Sequence, residues 1–239
     1  MNQREAVIKV MEDNGGYSTL SFLYQKALQY GSWKTKTPYA SIRRIVQDQN
    51  YFFKIRPGLW ALNTYKNEVL EKFSIDTQSD KNQNYEFDHS YFQGLLVEIG
   101  NIRGFETYIP AQDKNKKYLE KPLKEIAKTT KLPEFTYDEI LSYCKTVDVI
   151  WFNERKLPTS LFEVEHTTNI SNSLLKFLEL QDFNAAFEII SSEKRKNLFY
   201  KKLKSTAFQQ ISERVAFRNY EYVAALHQRE HQLHSFLTS

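Results

Sequence analysis

The sequence is poor in cysteine, since its 239 residues contain only Cys144. A single thiol excludes an intrachain disulfide and a structural zinc site of several thiolates, and a reducing, cytoplasmic setting is expected. No apolar run approaches the roughly 18 residues that a membrane helix needs, so no membrane partner is expected. The first ten residues carry charges where a signal peptide would be apolar, so no secretion signal is predicted. Phosphate-loop, dinucleotide-binding and serine-nucleophile motifs are also missing.

The composition is that of a folded protein whose charge is unevenly distributed. Hydrophobic residues make up 41% and charged residues 26% of the chain, and its length suits one large domain or two modest ones. The net charge is +4, but residues 1–70 hold ten lysines and arginines against five acids, so the remainder is close to neutral. A basic module joined to a near-neutral one is consistent with a nucleic-acid-binding unit attached to something else.

The first 62 residues predict three helices followed by a hairpin. The glycines of Asn14-Gly15-Gly16 end the first helix, and Gly31 ends the second. Thr37-Pro38 begins the third, because proline is tolerated where the backbone N–H has no helical partner. The strands YFFKI and LWAL then flank a turn at Arg56-Pro57-Gly58. This order of elements is the winged-helix pattern.

The third predicted helix and the hairpin present a basic, polar surface. DNA recognition needs cations for phosphates and short polar groups for base edges. The DNA-binding candidates in this region are Lys34, Lys36, Thr37, Tyr39, Ser41, Arg43, Arg44, Lys54 and Arg56. Lys194, Arg195 and Lys196 belong to a second basic block, which could follow a DNA backbone. Alternatively, both sets are solvated helix faces, and the N-terminal module binds protein.

Three stretches of this module carry a resemblance to a known family. GGYSTLSFLYQKAL, WKTKTPYASIRRIVQ and the hairpin end GLWAL resemble the winged-helix family found in restriction-system proteins and in some eukaryotic chromatin proteins. The resemblance covers residues 3–63. It implies a DNA-associated role and does not by itself imply catalysis.

The second half of the chain predicts a mixed sheet with helices on its faces. A helix at 89–103 precedes a short strand at 105–109, and residues 119–145 predict helical segments broken at Pro133. Strands at 147–153 and 160–166 follow, then a helix at about 171–182 and a strand at 185–190. The last strand–helix–strand unit is a crossover, so its two strands are predicted to be parallel.

The two strands at 147–153 and 160–166 carry three acids. If residues 154–159 form the connection, Asp148 lies opposite Glu165 and Ile150 lies opposite Glu163, so the three carboxylates share one face. Asp148 is the sole charge in a strand that is apolar on both faces, and clustered buried anions are costly unless a cation offsets them. Oxygen ligands favour Mg²⁺ or Mn²⁺. The alternatives are a solvent-facing sheet surface and a structural acid network. Carboxylate oxygens that lie far apart, or a lysine or arginine between them, would overturn the hydrolytic hypothesis.

This arrangement resembles the PD-(D/E)XK nuclease family, which includes many restriction endonucleases. That family places one acid on a strand, an acid-x-lysine motif on the next, and often a glutamate on the opening helix. Asp148, Glu163 and Glu98 match these positions, whereas Glu165 stands where the lysine usually is. The resemblance implies that Asp148, Glu163, Glu165 and Glu98 are catalytic, that the first three hold Mg²⁺ (with Mn²⁺ as a substitute), and that a DNA phosphodiester is hydrolysed.

The sequence therefore predicts an α+β, or mixed α/β, protein. A winged-helix DNA-binding domain at 1–70 and a linker at 71–88, which includes the polar stretch 74–86, precede a restriction-endonuclease-like mixed sheet flanked by helices at 89–239. The predicted function is a Mg²⁺-dependent, type II-like restriction endonuclease that cuts double-stranded DNA. The alternative is a non-catalytic DNA-binding or regulatory protein with a decayed nuclease fold. A homodimer is a further hypothesis, with Phe217, Tyr220 and Tyr222 as contact candidates.

Overall fold

The computed structural model describes residues 1–75, 81–166 and 170–238, with side chains left out at 81–84 and 238. The chain forms two compact units, Met1–Gln83 with Ala224–Ser239, and Asn84–Val223. Within the described ranges, no helix combines the length and the apolar character needed to cross a membrane.

The first unit is built from short helices packed on a small antiparallel sheet. Its elements up to the predicted linker are α1 (Gln3–Asp13), β1 (Tyr17–Thr19), α2 (Leu20–Lys26), α3 (Pro38–Val46), β2 (Phe52–Arg56), β3 (Leu59–Leu62) and α4 (Lys66–Lys72). The three predicted helices and the hairpin are present. Strand β1, which was not predicted, pairs with β3 in a sheet of order β1-β3-β2.

Local chemistry explains these boundaries. The Asn2 side chain accepts a hydrogen bond from the Glu5 backbone N–H, and the Glu5 carboxylate accepts one from the Asn2 N–H, which satisfies two free donors at the start of α1. The Thr19 hydroxyl caps α2 at the Phe22 N–H, 3.2 Å away. Pro38 occupies the first turn of α3.

The predicted linker is partly helical. Residues 76–80 lie outside the described residues, but α5 (Lys81–Ile102) begins eight residues before the predicted helix start. The early start is favoured because Phe87 and Tyr91 are both buried and their rings stack 5.9 Å apart, which anchors the polar turns before them. Ala224–Ser239, assigned from the sequence to the second domain, clusters with the first unit.

The second unit is a mixed five-stranded sheet between helices, which confirms the predicted fold class. Its order is β10-β9-β8-β7-β4. After α5 the elements are β4 (Glu106–Tyr108), β5 (Lys117–Tyr118), β6 (Lys121–Pro122), α6 (Leu123–Ile126), α7 (Asp138–Cys144), β7 (Val149–Phe152), β8 (Pro158–Glu165), α8 (Ile170–Glu179), β9 (Ala186–Ser191), α9 (Lys196–Leu203) and β10 (Val215–Asn219). Helix α10 (Tyr220–Thr238) follows, and from Ala224 onward it clusters with the first unit.

The predicted crossover unit is confirmed, because β8 and β9 are parallel and α8 connects them. The helix packs on the sheet through buried Leu174 and Phe177, and the Phe177 ring lies 5.0 Å from that of Phe187. Strand β7 is buried at every residue, as its apolar sequence predicts. The helical prediction over 119–145 was too long, since only α6 and α7 form there.

The register between β7 and β8 differs from the predicted one by two residues. Val149 pairs with Phe162, and continuing the ladder places Asp148 beside Glu163 instead of Glu165. The connection is shorter than predicted, and the ladder shifts by one residue between Trp151 and Phe152. Since side chains alternate along a strand, a shift of two keeps Glu163 and Glu165 on the face that also carries Asp148.

Candidate active site

An open cavity of about 510 Å³ lies at the carboxyl end of β8. Asp148, Glu163 and Glu165 all line it, and we call it the acidic cavity. Helix α5 and helix α8 both contribute to its wall. The three carboxylates are 8%, 3% and 6% exposed, so each has lost nearly all of its contact with bulk water. The structure thus brings the three predicted acids to one partly enclosed place.

Hydrogen bonds hold these carboxylates in position. The Val164 N–H donates to Asp148 Oδ2 over 2.7 Å, which ties the residue before β7 to the end of β8. The Ser173 hydroxyl contacts Glu163 Oε2 at 3.1 Å and also contacts Glu165 Oε1. Glu165 Oε2 is buried and has no hydrogen-bond partner among the described residues. A buried carboxylate oxygen without a donor is costly, which makes it a candidate ligand atom.

A lysine that the sequence analysis did not consider also reaches the acidic cavity. Lys176 Nζ lies 2.9 Å from both carboxylate oxygens of Glu163, and it also donates to the Thr146 carbonyl over 2.8 Å. The lysine thus neutralises one of the three acids. Lys176 is the only basic residue of the predicted helix 171–182, and this was the feature of the sequence that could have pointed to a lysine near the acids.

Burial and nearby anions perturb the pKa of Glu163. Burial, together with the nearby charges of Asp148 and Glu165, raises the pKa of Glu163, and Lys176 acts in the opposite direction. The net effect is a carboxyl group that holds its proton more strongly than an exposed glutamate. A cation placed among these acids would favour the ionised form.

A second cluster, also unforeseen from the sequence, shares Asp148. His89 Nε2 lies 3.3 Å from Asp148 Oδ1 and 3.7 Å from Asp113 Oδ2, and Lys116 Nζ lies 2.7 Å from Asp113 Oδ1. Burial lowers the pKa of His89, but the two aspartates outweigh it and raise the pKa to about 10. Burial raises the pKa of Asp113, but the hydrogen bonds from His89, Lys116 and Gln93 outweigh burial, so the pKa lies below that of an exposed aspartate.

The predicted accessory acid does not line the acidic cavity. Glu98 lies on α5 and accepts a hydrogen bond from the Tyr118 hydroxyl over 3.0 Å. It is nine residues from His89, which is about 13 Å along a helix. The residues that α5 does place at the cavity are Tyr85, Glu86 and His89.

The DNA-binding candidates of the first unit divide by exposure. Six of them are exposed, namely Lys34, Lys36, Thr37, Arg43, Arg44 and Lys54. Tyr39 is half-buried against the core, with its ring 4.9 Å from that of Tyr24. The Ser41 hydroxyl donates to the Thr37 carbonyl, and the Arg56 guanidinium donates to the Ile55 carbonyl over 2.7 Å.

The second basic block has structural contacts of its own. Arg195 donates to the His166 carbonyl over 2.7 Å, and Lys196 pairs with Glu193 at 2.9 Å. Lys194 is exposed. Two of the three basic residues in this block, Arg195 and Lys196, therefore already have partners within the second unit.

The fold and cavity define an α+β protein with a buried carboxylate cluster at the end of a sheet strand. Residues 69–239 match the family model described as the type II restriction enzyme NmeDI C-terminal domain, so the chain belongs to this family. It is also 24% identical over 156 residues to the type II restriction enzyme NmeDI of Neisseria meningitidis serogroup C. That match covers 61% of this chain and 44% of the relative, so the chain spans less than half of the relative's length. No solved structure matches it.

Proposed function

We propose that this protein is a metal-dependent DNA endonuclease of the type II restriction class. The observation that carries the proposal is the convergence of Asp148, Glu163 and Glu165, all buried, on one cavity in a chain of a restriction-enzyme family. The PD-(D/E)XK arrangement of these acids and the winged-helix nature of the first unit are parts of the same proposal.

The chemistry of the residues suits a divalent cation, but among the described residues Asp148, Glu163 and Glu165 do not bring one oxygen each to within 4.8 Å of one another, so a shared ion requires their side chains to move closer. The donor set consists of carboxylate oxygens, which suit Mg²⁺ or Mn²⁺, and it includes the unpartnered, buried Glu165 Oε2. Four acids line the cavity, Glu86 being the fourth, together with two lysines and His89, whose pKa is raised. A cation held by Asp148, Glu163 and Glu165 would offset the repulsion among these three acids and attract an anionic phosphodiester. When bound, it would polarise the scissile phosphate and acidify water.

The chain's own residues supply the remaining chemistry. Glu165 would either hold the cation through its unpartnered Oε2 or use that oxygen to accept the proton of the attacking water. Lys176 presents its ammonium group to the same cavity, from the helix after β8 instead of from the strand. It would stabilise the negative charge that develops on the phosphate, and so supply the cation that the Glu-x-Glu motif lacks.

The first unit would bind double-stranded DNA through α3 and the hairpin. The exposed cations Lys34, Lys36, Arg43, Arg44 and Lys54 support this role, because phosphate contacts give binding its salt dependence. The half-buried Tyr39 and the internally bonded Ser41 and Arg56 contribute less of their surface. Site selection by this unit is the corresponding hypothesis.

Cleavage of plasmid DNA in Mg²⁺ tests the proposal. Asp148→Asn, Glu163→Gln and Glu165→Gln should each abolish cutting, because each removes a charged oxygen donor, while DNA affinity in a gel-shift assay persists. Glu139→Gln is a matched control, since Glu139 is exposed on α7, and it should cut like the wild type. The proposal fails if the wild type does not cut in Mg²⁺ or Mn²⁺, or if the three variants cut normally.

The alternative is a DNA-binding protein with a decayed nuclease fold. The ion pair between Lys176 and Glu163 favours it, because a permanently neutralised glutamate has less need of a metal. This function predicts salt-sensitive DNA binding and no cutting under any metal. The plasmid-cleavage assay and the gel-shift assay together therefore distinguish the nuclease from the non-catalytic DNA-binding protein.

Pairing of two copies stays a prediction. Two of the aromatic contact candidates are engaged within the second unit, since the Tyr220 ring stacks 4.1 Å from Phe92 and Phe217 packs against the core. Tyr222 remains 43% exposed. Light scattering with and without DNA measures the mass, and a monomer under both conditions would exclude the dimer.

A further inference from the structure

We infer that His89, Asp113 and Asp148 form a second cation site, which takes a divalent transition-metal ion. One potential ligand atom from each residue lies within 4.8 Å of the other two. Metal ligands bound at about 2.1 Å lie up to about 4.2 Å from each other. The separations of His89 Nε2 from the two aspartates, 3.3 and 3.7 Å, fall within that limit.

A buried amide next to the cluster supports the inference independently. Gln93 is fully buried, and its Nε2 donates to Asp113 Oδ2 over 2.8 Å and to the Asp148 carbonyl over 3.1 Å. Its Oε1 is also buried and has no hydrogen-bond partner among the described residues. The amide nitrogen thus faces the Asp113 carboxylate and the Asp148 backbone carbonyl, while the buried amide oxygen is left for an ion-bound water to contact.

The two oxygens of Asp148 point to different neighbours. Oδ2 accepts the Val164 N–H at the end of β8, while Oδ1 is the oxygen nearest His89. Asp148 is thus shared between the acidic cavity and this second site. Two cations that share a carboxylate form the arrangement of two-metal phosphodiester hydrolysis. The inference deepens the proposed nuclease function and rests on it for the purpose of the ion.

The ligand chemistry favours a transition metal over Mg²⁺. An imidazole nitrogen beside two carboxylates suits ions that accept both nitrogen and oxygen, whereas Mg²⁺ prefers oxygen alone. Lys116 neutralises the outer oxygen of Asp113 and leaves the inner one facing His89. The competing interpretation is that His89 is an imidazolium ion paired with the aspartates, which needs no metal.

Mn²⁺ alone, added to the full chain, is the probe. Pulsed electron paramagnetic resonance should detect a ¹⁴N coupling from His89, and titration should give two Mn²⁺ per chain. His89→Gln should remove the coupling and leave one ion, while Asp113→Asn should weaken that ion at least tenfold. His234→Gln, an exposed histidine on α10, is the matched control and should change neither result. Circular dichroism confirms that each variant folds.

The outcomes separate this inference from the proposed function. If the wild type cuts DNA but bound Mn²⁺ shows no ¹⁴N coupling, or if the coupling survives His89→Gln, the second site is refuted and the nuclease stands. If the coupling depends on His89 but no metal supports cutting, the site stands and the nuclease is refuted. Glu163→Gln adds a further check, because it should keep the His89 coupling.

Discussion

Replacement of Lys176 by methionine gives the sharpest test of how the acidic cavity is balanced. The Lys176 side chain is a quarter exposed, and its ammonium group lies 2.9 Å from both oxygens of Glu163, whose side chain is 4% exposed. Methionine keeps most of the side-chain volume and removes only the charge. Loss of the positive charge leaves three buried carboxylates with no lysine in direct contact with Glu163, so the folded state should be destabilised.

The size of the effect follows from the geometry. Two unit charges 2.9 Å apart interact by about 6 kcal/mol at an effective dielectric constant of 20. Desolvation consumes part of this, and breaking a buried pair typically costs about 3–5 kcal/mol. Because Lys176 is partly solvated, we expect Lys176→Met to lower the free energy of unfolding by about 2–3 kcal/mol. Glu163→Gln should cost about 1 kcal/mol or less, since it also relieves repulsion from Asp148 and Glu165.

Urea denaturation of the metal-free protein measures these values as a double-mutant cycle. The double variant should resemble Glu163→Gln, which implies a coupling of about 2 kcal/mol between the two residues. Lys128→Met, at an exposed lysine, is the control and should change stability by less than about 0.5 kcal/mol.

Cleavage and metal binding provide a second readout of the same variant. Lys176→Met should reduce cutting about 10²–10³-fold, as loss of one group that stabilises a transition-state charge does. It should also bind Mn²⁺ more tightly, because the competing ammonium group is gone. A variant that is as stable as the wild type and cuts equally well would refute both the stabilising ion pair between Lys176 and Glu163 and the proposed role of Lys176 in cleavage.

Three other predictions concern the rest of the molecule. Burial raises the pKa of the Cys144 thiol to about 12, so iodoacetamide at pH 8.5 should label it only after denaturation, as mass spectrometry can show. Gly94→Ala should lower the free energy of unfolding by about 2–3 kcal/mol in urea, because the added Cβ would overlap the Tyr118 ring; equal stability would contradict that packing. Arg43→Ala with Arg44→Ala should weaken DNA binding and reduce its salt slope by about 2, whereas Lys9→Ala, on α1, should leave the slope unchanged.

The strands of the second unit were predictable because their signals are local. The apolar run before Phe152, the alternation through Glu165 and the crossover unit each depend on neighbouring residues, and the sheet follows from them. The exact register between β7 and β8 was not predictable, since it depends on one extra residue near Thr159 and on the length of the turn between the two strands. The prediction kept the correct face only because the error was an even number of residues.

The partners of the carboxylates could not be predicted in the same way. Asp113 lies in a polar loop that looks like any solvated turn, and only the packing of Gln93 against Asp148 makes it part of a buried network. His89 stood at the start of a predicted helix with no sign that it would face an aspartate. Strand β10 was missed because its neighbour β9 lies far from it in sequence.

The position of Lys176 follows from the topology of the sheet. A parallel crossover sends the chain from the end of β8 directly into α8, so the first turns of that helix lie beside the last residues of the strand. Residues three apart on a helix share a face, and Ser173 and Lys176 therefore both reach Glu163. A cation can be placed beside Glu163 in two ways. It can stand two residues later on the same strand, or thirteen residues later on α8, where Lys176 stands. A motif confined to the strand does not include α8, so it does not register the positive charge that Lys176 places beside Glu163.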